Sequence, residues 1–530
     1  MASTEALAAV LALPLAAGTA VKGAGAVAAA LAVAGTFLLR QPRGRALAAV
    51  VALVLAPVLV VAELWETSQL RTLRDNPTRA GVAVAVAAVA VAALAAIFRR
   101  HPGLLPVLAV LALPIRIPLD TGGSSANLLV PLYWVVAAGV LAFALDRLRG
   151  DGRWSERRPT APEVALLAVV ALYAVQSLYS ADFEQAIKNI AFFYVPFALL
   201  LRLLTAAPWT PRTVTRSFAA AIGMAVLFVA IGFYEYATKD LLWNSRVIES
   251  NNFESYFRVN SLFFDPNIYG RFLMVVMIGL AAVLLWARNA RQVAVSGALL
   301  TLLWAGLVLT FSQSSFAALL VGLAALAALR WSFRRVAAGV GLCAALALVV
   351  TLALGIGSDE IDDSSDNRLD LVGGGLSMVA DRPLWGFGSG SFAERFRDRE
   401  DASSRRAASA SHTIPVTVAA EQGVLGLGAY LALVVVSLRL LFTGLGPLTG
   451  RDPPQRLVTR AFLAAAFAAL VFHTLLYAAF LEDPITWTLL AIGIVLLRPT
   501  SSPSPSPSPA SPSPAPGPPA ADDAPPAPAS

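Results

Sequence analysis

Apolar residues in this chain fall in long, nearly unbroken runs separated by short polar breaks. A helix needs about 20 apolar residues to cross about 30 Å of hydrocarbon. Runs at 5–20, 23–39, 46–63, 80–97, 104–118, 128–145, 162–178, 187–201, 214–236, 267–287, 293–310, 315–329, 336–356, 413–438, 458–480 and 484–497 meet or approach that length. Three of them, 5–20, 104–118 and 315–329, are short enough to be tilted, re-entrant or interfacial, so about 12 to 16 crossings are expected. The expected fold is all-α, a polytopic membrane helix bundle over residues 1–498. The first run carries Glu5 and no basic n-region, which argues against a cleaved signal peptide.

Composition fits. Hydrophobic residues make up 57% and charged residues 14%, against about 25% charged in an ordinary soluble domain. That excludes a soluble enzyme and a disordered scaffold. The net charge of +7 would suit a nucleic-acid binder, but Arg in short loops of so apolar a chain reports orientation instead. Nucleic acid is therefore not an expected partner; the lipid bilayer is. Cys343 is the single cysteine, which leaves no intrachain disulfide and no multi-Cys metal site.

Alternating sides from a cytoplasmic start places 23 of the 40 basic residues inside, among them Arg147, Arg149, Arg153, Arg157 and Arg158. The short outer loops and their flanks hold Lys22, Arg71, Arg74, Arg79, Arg116 and Lys188. This asymmetry is the positive-inside pattern and predicts a multi-pass protein of the cytoplasmic (inner) membrane with both termini in the cytoplasm. Two outer loops, 237–266 and 357–412, are long enough to need a functional reason. Within the second, Leu369, Val372, Leu376 and Val379 recur at helical spacing and predict an amphipathic helix over 369–379 on the outer leaflet. The Ser/Pro/Ala-rich segment 499–530 has no composition for a core and reads as a disordered cytoplasmic tail.

Candidate chemistry gathers at span boundaries. Asp265 and Pro266 have the expected start chemistry of a helix, cap and first position. Asn267 and Arg271, four apart, share one face. Capping explains Asp265 and Pro266; it explains Arg258 and Arg271 less well, because Arg in a span costs about 2.5–3.5 kcal/mol on insertion scales. Thr310–Ser315 is a polar break that reads either as an interhelical turn or as hydroxyls and an amide, Ser312 and Gln313, lining a polar cavity. His412, at the exit of the second loop, is placed for a general base near pH 7. His473 lies within the 458–480 run, where an ionisable group is a functional candidate or simply bonds a neighbouring helix. The Gly386-x-Gly388-x-Gly390 run follows no strand and reads as a tight turn, not a nucleotide cradle. Glu421 follows His412 by nine residues, which puts the two on opposite faces of a straight helix unless the glycines nearby break it.

The ordered set RVNSLFFDPNIYG (258–270), LTFSQSS (309–315), DRPLWGFGSGSF (381–392) and SHTIPVTVAAEQGVLGLG (411–428) resembles the O-antigen ligase / Wzy-type polymerase superfamily. The resemblance implies a metal-independent, inverting glycosyltransferase without cofactor. It would pass a glycan from an undecaprenyl-diphosphate donor to a hydroxyl of a glycan, lipid or protein acceptor on the outer face. It implies Arg258 as a diphosphate ligand and His412 as general base. Asn267, Arg271, Ser312, Gln313, Arg382 and Glu421 complete the expected substrate-binding set. Gln313 stands where many relatives have Arg, and Thr413 where many have Asn; Arg271 or Arg368 would then supply a second cation. The rival readings are a transporter or flippase, which concentrates polar sites near the bilayer midplane, and a non-catalytic envelope assembly protein.

Overall fold

A computed structural model of the chain describes residues 18–64, 75–120, 125–242, 247–248, 251, 256–331, 334–338, 371–400, 413–448, 450, 452–477 and 479–497. The expected span 336–356 beyond its first residues, nearly all of the run 5–20, the acidic start of the second loop with Arg368, His412 and the tail 499–530 lie outside the described residues.

The described chain runs through α1 (Thr19–Leu38), α2 (Pro42–Leu64), α3 (Pro77–Arg100) and a short α4 (Leu104–Ala112) into an antiparallel two-strand ribbon, β1 (Ile117–Asp120) and β2 (Ser125–Leu128). There follow α5 (Val130–Arg149), α6 (Ala161–Gln176), α7 (Phe183–Asn189), a π-helical turn (Ile190–Tyr194), α8 (Val195–Ala206) and α9 (Pro211–Thr238). Next come α10 (Pro266–Leu285), α11 (Ala290–Val308) and α12 (Gln313–Arg330), then α13 (Leu371–Asp381) and α14 (Phe392–Glu400). The series closes with α15 (Ile414–Phe442), α16 (Gln455–His473) and α17 (Pro484–Leu496). Among the described residues, 12 helices are long and apolar enough to cross a membrane, with α7 to α8 counted as one. The fold is a polytopic helical membrane bundle.

Helix starts are written locally. Asp265, Thr210 and Asp483 each accept a backbone N–H of the first turn, with Pro at the following position, where its missing donor costs nothing. Thr160 and Glu163 form a reciprocal capping box before α6. Burial then sorts the spans. α8 and α10 are buried almost all round and form the centre, α8 against α17 and α10 against α11, α12 and α16. α3 is the opposite case: Val82, Val84, Val86 and Val89 are all exposed, so its apolar face is left to hydrocarbon.

Three expectations need correction. The run 104–118 is not a crossing; Pro114 and Pro118 remove donors, and α4 gives way after nine residues to the ribbon. The run 458–480 stops at His473, where the Thr474 carbonyl accepts the Ile414 N–H at the start of α15. Of the helix expected at 369–379, residues 371–379 lie in α13, with Leu369 outside the described residues; the buried face is Leu371, Gly374, Gly375 and Met378, while Leu376 is exposed. Leu371 and Met378 pack with Phe392, Phe396 and Ala420, because the small face admits the aromatic rings of α14 closer than the Leu376 face would.

Candidate functional site

The start of α10, the start of α12 and the segment after α16 meet around Arg271, which is fully buried. Its Nη1 donates to Asp483 Oδ2 and to the Ala479 carbonyl, both at 2.7 Å. Its Nη2 lies 3.2 Å from His473 Nδ1. Arg can only donate, so Nδ1 must accept and the ring proton sits on Nε2. Nε2 in turn faces Ser314 Oγ at 3.3 Å and Ser315 Oγ at 3.2 Å. Both His473 nitrogens are thus engaged, which suits a positioning group better than a free base. Ser312 Oγ, besides capping α12, donates to Asn267 Oδ1 at 2.8 Å.

Two Asp-Pro helix starts do the same double duty. Asp483 caps α17 through Oδ1 and holds Arg271 through Oδ2. Asp265 caps α10 through Oδ1 and accepts the Tyr477 hydroxyl through Oδ2 at 2.8 Å. Burial, with the Asp265 carboxylate beside it, holds the Tyr477 phenol well above the usual range. Glu482 accepts from the Tyr194 hydroxyl at 2.8 Å, and burial raises its pKa. Tyr194 belongs to the π-helical turn, whose Phe192 carbonyl bonds the Tyr133 hydroxyl; such turns often occur at functional sites. Arg116, from the strand-side end of the α4 connection, stands within electrostatic reach of Asp483 and Arg271, and burial lowers its pKa. Backbone strain collects here too: Ser261, Phe311 and Ala479 are three of the four non-Gly residues with positive φ among those described.

Arg258 lies beside this cluster. Its Nε donates to the Thr310 carbonyl at 3.1 Å, and Asn251 clasps its backbone through both amide groups. Among the described residues it forms no ion pair. Gln313 is exposed at the first position of α12, while Ser312, Ser314 and Ser315 turn inward.

A second assembly forms around Glu421. Its Oε2 accepts from Gly390 N at 2.8 Å and its Oε1 from Phe392 N at 3.1 Å, so the carboxylate caps α14. Gly423 breaks α15 at φ 65° and ψ −165°. A Cβ there would stand 2.3 Å from the Leu384 carbonyl oxygen, and one on Gly386 would stand 2.2 Å from that of Glu421. The 382–390 loop is therefore locked onto the kink backbone to backbone, as a turn. Arg382 is exposed, its guanidinium 4.7 Å from the Phe387 ring centroid. The two assemblies meet where Ile414 N donates to the Thr474 carbonyl and Thr413 Oγ1 to the Leu475 carbonyl.

Of the expected site residues, Asn267, Arg271 and Ser312 come together, with Arg258 tied to Thr310, two residues before Ser312. Arg382 and Glu421 belong to the second assembly, and His412 lies outside the described residues. Sequence reading missed Asp483, Tyr477, Glu482 and Arg116 as partners; a signal for Asp483 was present, since Asp483-Pro484 repeats Asp265-Pro266.

Residues 297–431 match the family model Wzy_C, described as O-antigen ligase. That segment is similar to an O-antigen ligase domain. It takes in α11 from residue 297, α12, α13, α14 and α15 as far as residue 431, 135 of the 530 residues, and so contains the Ser312–Ser315 turn and the whole Glu421 assembly. Arg258, Arg271, His473 and Asp483 fall outside the matched O-antigen ligase segment and reach it only through tertiary contact. No curated protein matches the chain. The match supports a cell-envelope glycan ligase or polymerase in general, a glycosyltransferase-like enzyme with lipid-linked glycan substrates.

Proposed function

We propose that this protein transfers a glycan from an undecaprenyl-diphosphate donor to an acceptor hydroxyl at the outer face of the cytoplasmic membrane. The observation that carries this reading is the division of labour between two arginines. Arg271 is spent on Asp483, His473 and a backbone carbonyl, whereas Arg258 is half-buried and unpaired among the described residues. A planar guanidinium so placed matches phosphate oxygens through charge-assisted bonds. As the sugar–phosphate bond breaks, negative charge grows on the departing diphosphate, and a fixed cation stabilises that transition state more than the ground state.

The base is His412 in this reading. Its neighbour Thr413 is tied to Leu475, two residues beyond His473, which brings that end of the loop to the rim of the Arg271 cluster. Proton removal from the acceptor by such a base contributes roughly 10²–10⁴-fold. Attack opposite the leaving diphosphate inverts the anomeric centre, and no metal is required for charge that Arg258 meets. The cluster sits at helix ends, as interfacial chemistry needs, not at mid-span as in transporters.

The test is reconstitution with undecaprenyl-diphosphate oligosaccharide, scoring longer lipid-linked chains against transfer to a distinct acceptor. Arg258→Ala and His412→Ala should each abolish product with insertion into the membrane intact. Product retained in both would favour a transporter or an assembly protein.

A further inference from the structure

Beneath the Arg271 cluster lies an apolar slot of about 280 Å³ between α4, α9, α10, α16 and α17. Its lining includes Leu113, Phe272 and Ile485, which stand within three residues of Arg116, Arg271 and Asp483 in sequence. Along α10 it extends from Phe272 to Val283, about 16 Å at the helical rise of 1.5 Å per residue. That is roughly half the hydrocarbon thickness of a bilayer. Apart from a few polar positions such as Ser217 and Thr488, the walls are aliphatic and aromatic.

Arg116 follows Leu113 of the slot lining by three residues and lies within electrostatic reach of Arg271 and Asp483, whose neighbours Phe272 and Ile485 also line it. Among the described residues its Nε is buried with no hydrogen-bond partner, and its guanidinium forms no ion pair. The carboxylate that acts on it, Asp483, is already matched by Arg271 at 2.7 Å. A guanidinium without an ion-pair partner among the described residues, with its Nε out of contact with solvent, is costly unless an anion meets it. A cation above a hydrocarbon slot fits an amphiphile with an oxyanionic head and an apolar tail.

We infer that Arg116 binds the diphosphate of the prenyl-lipid donor while the slot below it takes the first part of the prenyl chain. The inference rests on the transfer reading above and adds to it a cation outside every motif of the chain, together with a place for the tail. It also answers the absence of a basic residue at Gln313: the second cation comes from the connection after α4.

The test reads binding, with transfer absent from every arm. Purified full-length protein in detergent is titrated with geranylgeranyl diphosphate and with inorganic diphosphate, each with phosphatidylglycerol as competitor. Arg116→Gln should weaken geranylgeranyl diphosphate at least roughly tenfold, the loss expected for one charged hydrogen bond, with its melting temperature unchanged. Ala221→Phe, which fills the slot, should weaken geranylgeranyl diphosphate and leave inorganic diphosphate as it was. Wild-type affinity in a folded Arg116→Gln protein overturns the inference, as does equal displacement by phosphatidylglycerol, which would make the slot a general lipid groove. Should Arg116→Gln not fold, the wild-type protein decides: geranylgeranyl diphosphate must protect Arg116 from an arginine-selective dicarbonyl, and unprotected labelling overturns it. A lost transfer activity in reconstitution would count against the function proposed above and leave these binding results standing.

Discussion

Two assemblies hold the same end of this bundle, and they use carboxylates in opposite ways. Around Arg271, Asp483 meets a side-chain cation, and imidazole, hydroxyls and amide follow in a chain of side-chain contacts. Around Glu421, among the described residues, the carboxylate meets backbone N–H groups alone, and the loop it holds is fixed by carbonyl contacts and glycines of positive φ. The first arrangement leaves groups that can face a substrate and change with it. The second fixes a loop and uses up the acid in doing so. Glu421 therefore belongs, in our reading, to the framework that carries the 382–390 loop, and Arg271 to the framework that orients the hydroxyls near Arg258.

The sharpest break comes at the ion pair. Arg271→Ala strands Asp483 in the interior, a change that typically costs about 3–5 kcal/mol, and should lower the melting temperature in detergent beyond every other variant here. The paired change Arg271→Met with Asp483→Leu should recover much of that stability, since apolar replacement of a buried pair is often near neutral, yet leave glycan transfer at background. Recovery of both would show that the pair matters only to folding.

Next in size is Gly423→Ala. It places a Cβ 2.3 Å from a carbonyl oxygen at φ 65° and ψ −165°, a backbone region held almost only by Gly, where strain costs about 1–3 kcal/mol before the clash is added. Its expected signature is faster proteolysis of the 382–400 region with α10–α12 still protected. Protection lost everywhere at once would mean that the two assemblies are not separable. Glu421→Gln should be milder, because an amide oxygen still accepts one N–H; a loss of about 1–3 kcal/mol is expected for the N–H left buried.

The smallest effect concerns pH. Burial raises the Glu482 pKa above its usual value of 4.5, so the folded state holds a proton that the unfolded chain releases. Its stabilising contribution is complete below about pH 4.5 and falls as pH rises through the folded value. Glu482→Gln should flatten the pH dependence of melting on the side above pH 4.5, read as the wild-type minus variant difference. An unchanged slope would remove Glu482 from the electrostatics of the cluster.

Much of the architecture was legible in the chain. Run length gives the crossings, and caps such as Asp265-Pro266 give their starts, because hydrophobic matching to a bilayer and first-turn capping act within a few residues. The failures were local conflicts that packing decides: Pro114 and Pro118 end one run, and the glycine side of α13 wins burial over the Leu376 side because it admits Phe392 and Phe396. The motif segments were legible as a set, and so was their helical or loop context.

What the sequence could not supply is which of its ionisable groups meet. Arg116, Arg271, His473 and Asp483 are separated by up to 367 positions (483 − 116), and no periodicity links them. Their meeting is fixed by how α10, α12 and α16 pack, and burial then turns proximity into strong pairing, since charges removed from water must find partners. Hydropathy, a property of each segment alone, determined that this chain lives in a membrane; only the packed bundle decided that Arg271 is spent and Arg258 and Arg116 are not.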